Sequence, residues 1–302
     1  MSGLRVIKSG MLTQIQDRGR FGYGDIGITQ SGMADGYSGA WANRLLFNDA
    51  DDAVLEILLG GVAFVSEVES TIAVTGAQAS LTINGITQAL WRSHSIYPDD
   101  KIEIGMATKG LRVYLAIQGG FATTQALESH ATTLKEGFGE KITPDTLLLC
   151  RSSSALPITS TPEHLIPTFR DVIILRVLLG YQSDAFTAQA KEQLFGASYR
   201  VSNSTDRMGC RLEGRAITYE GGELISEPIA YGSIQIPADG QPIILLNERQ
   251  TIGGYPKIGS IIPMDCYRLA QAKPSTTVAF QEIGLEEAVR ATRELMGFVA
   301  IS

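Results

Sequence analysis

The chain has few of the residues that carry metal, disulfide or histidine-based chemistry. Its 302 residues include three cysteines and three histidines. The cysteines are odd in number and far apart, so they predict no disulfide framework and fit a reducing cytoplasm. The histidines lack metal-ligand spacing, so we expect no metal site, and proton transfer would fall to carboxylates or tyrosines. These residues are Cys150, Cys210, Cys266, His94, His130 and His164.

Other absences exclude whole classes of protein. The chain has no Walker A sequence and no G-x-S-x-G elbow, which removes P-loop nucleotidases and the usual serine hydrolases. No apolar run reaches the ~18 residues of a membrane span, and residues 1–5 show no signal-peptide pattern. A formal net charge of -7 argues against a nucleic-acid-binding surface. We therefore expect a cytoplasmic protein whose nucleotide, if it uses one, is held unconventionally or by another polypeptide.

A G-x-G-x-x-G spacing at residues 22–27 does not indicate a dinucleotide site. Such a fingerprint directly follows a buried strand and opens a helix. Here the polar residues 16–20 come before it, and the next predicted helix begins only beyond Gly32.

Glycine is abundant, which indicates many turns between short strands. There are 32 glycines in the chain, well above the average of roughly 7%. Residues 71–74 and 80–83 are β-like, and Asn84-Gly85 after them predicts a type I′ hairpin turn. Residues 111–118 alternate with period 2, as a half-buried strand does.

Two helices are predicted among these strands. Apolar residues recur every four positions over residues 33–47, which predicts a helix with Asp35 near its start. We expect another helix over residues 183–195, capped by Ser183 or Asp184.

The second half also consists mainly of short strands. Residues 151–169 are rich in serine, threonine and proline and lack periodicity, which predicts a linker. A last helix is expected over residues 285–296. The predicted strands cover residues 172–179, 198–201, 234–236, 243–246 and 277–280. Two β-rich, barrel-like domains are the economical interpretation of the whole chain.

Residues 247–257, Asn-Glu-Arg-Gln-Thr-Ile-Gly-Gly-Tyr-Pro-Lys, are the most informative stretch. They follow the apolar run 242–246, which predicts a buried strand. Paired glycines allow positive φ angles and bring bare N–H groups near a ligand. A hairpin turn alone would also explain Gly253-Gly254, but it would not require the surrounding arginine, glutamine, threonine and tyrosine. We therefore interpret the stretch as a site.

Arginine stands close to glycine in three loops, at residues 16–22, 202–212 and 249–255. A guanidinium fork beside exposed N–H groups suits a carboxylate, a phosphate or a developing oxyanion. The alternative is that each arginine ties its own loop together through a surface ion pair. We expect the three loops to converge on one anion, and this hypothesis fails if they lie on opposite faces.

A series of segments along nearly the whole chain matches one family pattern in order. The matching residues are 16–22, 27–35, 42–45, 55–56, 75–77, 114–120, 206–209, 211–212, 226–228, 232–237, 250–251, 253–256 and 269–271. In these segments the chain resembles the allophanate hydrolase subunit 2 family. Members include the C subunit of bacterial 5-oxoprolinase and part of the carboxyltransferase region of urea carboxylase.

The resemblance implies a fold, partners and a cofactor. It implies two cyclophilin-like β-barrel domains, which we place at residues 1–155 and 165–302, each a carboxyltransferase subdomain. It also implies an allophanate hydrolase subunit 1-like partner and, in 5-oxoprolinase, a lactam-hydrolase subunit. That complex hydrolyses 5-oxo-L-proline to L-glutamate with ATP. We expect ATP to be bound by or with the partner complex, which fits the missing Walker A sequence.

Three departures from the family pattern stand out. Family members carry Asp-Arg-Gln-Thr-Thr where this chain has residues 248–252, and Glu248 keeps the charge of the aspartate. A Gly-Pro step in the family is Gly180-Tyr181 here. The usual Ser-Arg-Ser-Thr has His130 in place of its arginine, so that segment is a poor candidate for ligand binding.

Our leading hypothesis is therefore the C subunit of an ATP-dependent 5-oxoprolinase that is active only as a complex. Such chemistry needs an anion clamp, an electrophile stabiliser and a proton carrier. The predicted substrate-binding residues are Arg18, Ser204, Arg207, Arg211 and Gln250. The predicted catalytic residues are Thr251, Gly253 and Gly254 for the oxyanion, Tyr255 for proton relay, and Asp17 or Glu248 as base.

Two other hypotheses stay open. One is a biotin-dependent carboxyltransferase subunit that acts on urea or a related amide. The chain has no Met-Lys biotin acceptor, so the carboxybiotin would be attached to a separate carrier. The other is a non-catalytic module that regulates the subunit 1-like partner through its loops.

Overall fold

The computed structural model describes residues 2–151, 153, 156–222 and 224–300. The chain is mainly β, which confirms the predicted fold class. It divides into unit 1 (Met1–Arg20, Ser31–Phe169 and Val299–Ser302) and unit 2 (Phe21–Gln30 and Arg170–Phe298). The domain borders at residues 155 and 165, and the cyclophilin-like character, stay predictions. Residue 155 itself lies outside the described residues, as do 152 and 154 of the predicted linker.

Unit 1 consists of two sheets on one apolar core. Its elements are β1 (Gly3–Ser9), β2 (Leu12–Gln16), α1 (Gly36–Arg44), β3 (Val54–Leu58), β4 (Gly60–Ser66), β5 (Ser70–Gln78), β6 (Leu81–Ile83), β7 (Ile86–Gln88), β8 (Ser93–Ile96), β9 (Lys101–Met106), β10 (Lys109–Ile117) and β11 (Leu147–Leu149). The sheet orders are β11-β1-β4-β9-β6-β7 and β2-β3-β10-β5-β8. Val113 and Leu115 of β10 pack with Leu4 and Phe64 of the other sheet. The ladders described in unit 1 thus run in two sheets rather than in one closed ring.

The predicted turn at Asn84-Gly85 and the predicted helix start near Asp35 are both present in unit 1. Asn84 and Gly85 have φ angles of 52° and 77°, as a type I′ turn requires, and they join β6 to β7. The first helix, α1, is shorter than predicted. Its N-cap is Asp35, whose carboxylate accepts a hydrogen bond from the Ser38 N–H at 3.1 Å.

Unit 2 is a closed barrel with accessory helices. Its elements are β12 (Val172–Leu179), α2 (Ala188–Gly196), β13 (Ser198–Thr205), β14 (Gly209–Glu213), β15 (Glu227–Pro228), β16 (Ser233–Gln235), β17 (Ile243–Leu245), β18 (Ile252–Gly253), β19 (Lys257–Ile261), α3 (Pro263–Ala270), β20 (Thr277–Glu282) and α4 (Leu285–Ala300). The barrel order is β12-β19-β16-β17-β14-β13-β20, and the parallel pair β12–β20 closes it. The short strands β15 and β18 form a separate two-stranded sheet. All five strands predicted in this half are present.

The predicted linker at residues 151–169 is bound to unit 1 where the structure describes it. Ser93 N–H donates to Thr159 O at 3.0 Å, and Thr161 N–H donates to Trp91 O at 2.9 Å. Composition correctly indicates irregular backbone here. It does not show that the edge of β8 supplies hydrogen-bond partners that hold this backbone in place.

The predicted helix at 183–195 begins later than expected. Ser183 and Asp184 lie in a 3-10 turn, Tyr181–Ala185, and extended backbone at Phe186 separates this turn from α2. The N-cap is Thr187, whose hydroxyl accepts from Ala190 N–H at 3.1 Å. Both predicted caps were therefore wrong, because several residues here can cap a helix and the tertiary path decides between them.

Candidate functional site

Two of the three predicted arginine loops lie side by side at one end of the barrel in unit 2. The antiparallel pair β14–β17 places Gly209 opposite Leu245, so the turn before β14 meets the loop after β17. Backbone hydrogen bonds join them, from Leu246 N–H to Met208 O and from Glu248 N–H to Arg207 O, each at 2.9 Å. The third loop, at residues 16–22, falls in both units, with Arg18 in unit 1. Its convergence with the other two stays a prediction.

The contact between these loops includes a largely buried ion pair. Arg207 Nε lies 2.5 Å from Glu248 Oε1, and the two side chains are 8% and 11% exposed. One was predicted to bind substrate and the other to act as a base. The structure joins them to each other, so the Glu248 carboxylate compensates the charge of Arg207.

Arg211 does not share a clamp with Arg207. Its guanidinium pairs with Asp239, in the turn that precedes β17. Arg207 lies at the loop that follows β17, at the other end of this strand. A shared clamp of these two arginines is therefore not supported. The two polar residues predicted beside them, Ser204 and Gln250, are both exposed.

The Gly253-Gly254 pair owes its glycines to close packing rather than to unusual backbone angles. Neither residue adopts the positive φ that paired glycines allow. Instead, a Cβ atom at Gly253 would lie 2.7 Å from Ile229 Cδ1. Glycine is used here because it also permits close approach of another chain segment.

Residues 251–255 form a polar turn around β18. Strand β18 pairs with β15, and Ile229 N–H donates to Thr251 O at 3.0 Å. Gly254 is exposed, and its N–H makes no hydrogen bond with any residue that the structure describes. Tyr255 follows with 53% of its surface exposed. An unused backbone donor therefore stands next to an exposed phenol.

A polar cluster that the site prediction missed anchors the other strand of this small sheet. The Glu227 carboxylate accepts from Tyr181 Oη and from Gln182 Nε2, the latter at 2.7 Å, and pairs with Lys257 Nζ. Lys257 N–H donates back to Gln182 Oε1 at 2.7 Å. Two features of the sequence could have indicated this cluster: residues 226–228 match the family pattern, and Tyr181 departs from it.

The charges of this cluster stabilise one another. The Lys257 ammonium, followed by the Tyr181 hydroxyl, lowers the pKa of Glu227, because both favour the carboxylate. The same contact with Glu227 raises the pKa of Tyr181. The cluster thus keeps Glu227 ionised and Tyr181 protonated while it joins β15 to β19 and to the 3-10 turn at residues 181–185.

Arg249 was not among the predicted site residues, and its surroundings differ from those of Arg207 and Arg211. Its Nε donates to Ile229 O at 3.1 Å and its Nη1 to Leu246 O at 3.3 Å. The guanidinium carbon lies 5.7 Å from the centroid of the Tyr231 ring. Burial lowers the pKa of Arg249, since desolvation disfavours the charged form.

In unit 1, Asp17 has the bonding of a structural residue. It is 4% exposed, and its carboxylate accepts from Gly19 N–H and Ser129 Oγ, each at 2.8 Å, and from His130 N–H at 2.5 Å. Arg18 beside it pairs with Asp51 at 3.3 Å. The segment around His130 therefore serves to hold the Asp17 turn.

A surface groove of about 300 Å³ in unit 1 contains none of the predicted site residues. Its lining includes Ile7, Met11, Gly60, Met106 and Pro144. In the described ranges, no group of three or more histidine, cysteine or acidic side chains is arranged to hold a metal ion. No helix in the same ranges is both long and apolar enough to cross a membrane.

A comparison of the sequence with known protein families gives one match over most of the chain. The family described as "Carboxyltransferase domain, subdomain A and B" matches residues 26–282. The chain belongs to this carboxyltransferase family. The match includes the arginine loops at residues 202–212 and 249–255 and the Glu227 cluster, whereas Asp17 and Arg18 lie before it.

Curated relatives of this carboxyltransferase chain fall into two groups. The C subunit of 5-oxoprolinase from Escherichia coli is 32% identical over 96% of this chain and 94% of its own length. The protein of the same name from Haemophilus influenzae is 31% identical over 93% and 91%. The urea amidolyase of Saccharomyces cerevisiae is 28% identical over 94% of this chain, which spans 17% of that longer protein.

Solved structures support the same carboxyltransferase fold. The crystal structure of TTHA0988 is 28% identical with a TM-score of 0.84, and it matches 93% of this chain. This chain spans 56% of that protein's length. The urea carboxylase of Kluyveromyces lactis matches 99% of this chain with a TM-score of 0.86 at 23% identity, and this chain spans 29% of it.

Proposed function

We propose that this chain is the C subunit of an ATP-dependent 5-oxoprolinase that hydrolyses 5-oxo-L-proline to L-glutamate. The observation that carries the proposal is the near full-length match to two proteins that are named as this subunit of 5-oxoprolinase. The remaining components would be a subunit 1-like protein and a lactam-hydrolase subunit. ATP would be bound by or with that complex.

The turn around β18 is our proposed reaction site on this chain. Opening a lactam passes through a tetrahedral oxyanion, which backbone and hydroxyl donors stabilise. Gly254 N–H and Thr251 supply such donors, Gly253 shapes the turn, and Tyr255 is an exposed phenol for proton transfer.

We assign the two predicted bases a positioning role instead. The Asp17 carboxylate is already bound by three donors, and the Glu248 carboxylate by Arg207. Each carboxylate thus already serves as the acceptor for groups that fix its own loop.

A reconstituted enzyme tests the function. The chain is purified with and without its two partners, and ATP-dependent release of glutamate from 5-oxo-L-proline is measured. We expect release that requires this chain, both partners and ATP. Complete turnover without this chain, or no turnover from the full set, would contradict the proposal.

A substitution in the assembled complex tests the site. We expect Tyr255→Phe to lower turnover by about 10²-fold, the lower range for loss of a positioned proton donor. Tyr97→Phe is the matched control, because Tyr97 is a similarly exposed tyrosine in unit 1, at 50%. Unchanged turnover in Tyr255→Phe would remove this phenol from the mechanism and favour a non-catalytic role for the chain.

The second candidate function is carboxyl transfer from carboxybiotin on a separate carrier. The family description and the match to urea amidolyase favour it. Transfer of labelled carboxylate from a carboxylated biotin to urea or a related amide, dependent on this chain, would support it over lactam hydrolysis.

A further inference from the structure

The arginines around the β17–β18 loop differ in how their charge is compensated. Among the described residues of unit 2, Arg176 and Arg268 pair with Asp265, Arg207 pairs with Glu248, and Arg211 pairs with Asp239. Arg249 forms no ion pair with any carboxylate that the structure describes. Its side chain is nevertheless partly buried.

The contacts of Arg249 fix its orientation and leave part of the fork unused. Nε and Nη1 donate to two backbone carbonyls, Ile229 O at 3.1 Å and Leu246 O at 3.3 Å. Nη2 makes no hydrogen bond with a described residue, and it is absent from the buried atoms that lack a partner. It therefore reaches solvent. The result is a cation oriented by two carbonyls, with one donor nitrogen that the protein does not fully enclose.

A partly desolvated guanidinium without a counterion is unfavourable in the protein alone. Backbone carbonyls satisfy hydrogen bonds, but they do not supply a full negative charge. An anionic ligand would supply it, and a planar carboxylate fits the guanidinium fork.

Arg249 is also next to the proposed reaction site. Its Nε donates to the backbone carbonyl of Ile229. The Ile229 side chain packs against Gly253, where an added Cβ would lie 2.7 Å from Ile229 Cδ1. One residue thus links the cation to the turn that carries the Gly254 donor.

We propose that Arg249, rather than Arg207 or Arg211, binds the carboxylate of the substrate. This inference rests on the proposed function, in which the substrate is 5-oxo-L-proline, a small lactam with one carboxylate. Arg249 determines specificity by selecting the acid over an uncharged analogue, and it orients the lactam toward Gly254 and Tyr255.

The test compares the acid with its amide in the reconstituted complex. Wild-type, Arg249→Gln, Arg249→Lys and Arg200→Gln proteins are assayed for kcat/KM with 5-oxo-L-proline and with 5-oxo-L-prolinamide. We expect Arg249→Gln to lose about 10- to 100-fold on the acid and little on the amide, the range for a charge-assisted hydrogen bond. Arg249→Lys should lose less, since it keeps the charge but not the fork.

Controls and a binding measurement separate the possible failures. Arg200 is an exposed arginine on β13, so Arg200→Gln should leave both substrates unchanged. Equal losses of Arg249→Gln on acid and amide would mean a purely structural role and overturn the inference. Calorimetric binding of 5-oxo-L-proline to the complex is measured in parallel.

If the wild-type complex binds the acid through Arg249 but does not hydrolyse it, the proposed function fails and the anion site stands. If the wild-type complex does not bind the acid, or binds it equally well with Arg249→Gln, the anion site is refuted. If thermal unfolding shows that Arg249→Gln is poorly folded, the ratio of kcat/KM on the acid to kcat/KM on the amide is compared between Arg249→Lys and the wild type. A lower ratio in Arg249→Lys supports the inference, and an unchanged ratio overturns it.

Discussion

The ion pair between Arg207 and Glu248 offers the sharpest stability test of the barrel loops. Its atoms are 2.5 Å apart, and about nine-tenths of each side chain is removed from water. Removing one partner of a buried pair leaves the other charge uncompensated, which costs about 3–5 kcal/mol. Since each side chain keeps a tenth of its exposure, we expect about 2–4 kcal/mol for Arg207→Ala or Glu248→Ala.

The double substitution should cost less than the sum of the two. With both charges removed, no unpaired charge remains, so the coupling free energy should be about 2 kcal/mol. Far-UV circular dichroism in a urea titration is the suitable probe. Tryptophan fluorescence would report on the wrong part, because Trp41 and Trp91 both lie in unit 1.

Two results would refute this reasoning. One is a loss below about 0.5 kcal/mol for either single substitution, which is the size expected for an exposed pair. The other is simple additivity in the double variant, which would show that the two groups do not interact. Arg200→Ala, on an exposed strand position, is the control for the loss of an arginine from the same barrel.

Three further outcomes follow from buried groups. Asp17→Ala should destabilise the protein by about 3 kcal/mol in urea titration, because three donors lose their acceptor, and an effect below about 1 kcal/mol would contradict that role. Asp265→Ala should lower the free energy of unfolding by about 3–5 kcal/mol in the same titration, because this fully buried carboxylate accepts from Arg176 Nη2 at 2.8 Å and from Arg176 Nε at 3.0 Å. Asp265→Asn should lower it by less. Burial raises the pKa of Cys150 to about 11 and also raises that of Cys266, so a thiol reagent at a pH of about 8 should label the native protein far more slowly than the urea-unfolded chain; equal rates would show the thiols to be accessible.

Local sequence patterns predicted the secondary structure well where the determining interactions are short-range. The Asn84-Gly85 turn needs two positive φ angles, and these two residues adopt them readily. Asp35 caps α1 through a hydrogen bond to a residue three positions away. The caps proposed for α2 failed because several nearby side chains were equally suitable, and the path of the chain before Thr187 selected one of them.

The roles of the arginines could not be predicted from their neighbours in sequence. Arg207 and Arg211 are four residues apart and stand in similar company, yet their partners lie at opposite ends of β17. Arg249 lies in one of the three loops predicted to converge on an anion, but it was not among the predicted substrate-binding residues. Its charge has no acidic partner among the described residues. Ion pairing depends on distances of a few ångströms between remote segments, and no local pattern encodes these distances.

The sequence by itself determined the mainly β class, most of the strands, and membership of the carboxyltransferase family, because hydrophobic alternation, turn residues and the order of the matching segments are properties of the chain. Tertiary structure alone decided which charges are paired with an opposite charge inside the protein and which are not. The reason is that compensation of a charge requires a counter-charge brought near it by folding. Glu248 comes to Arg207 in this way, whereas among the described residues two carbonyls and the Tyr231 ring contact Arg249.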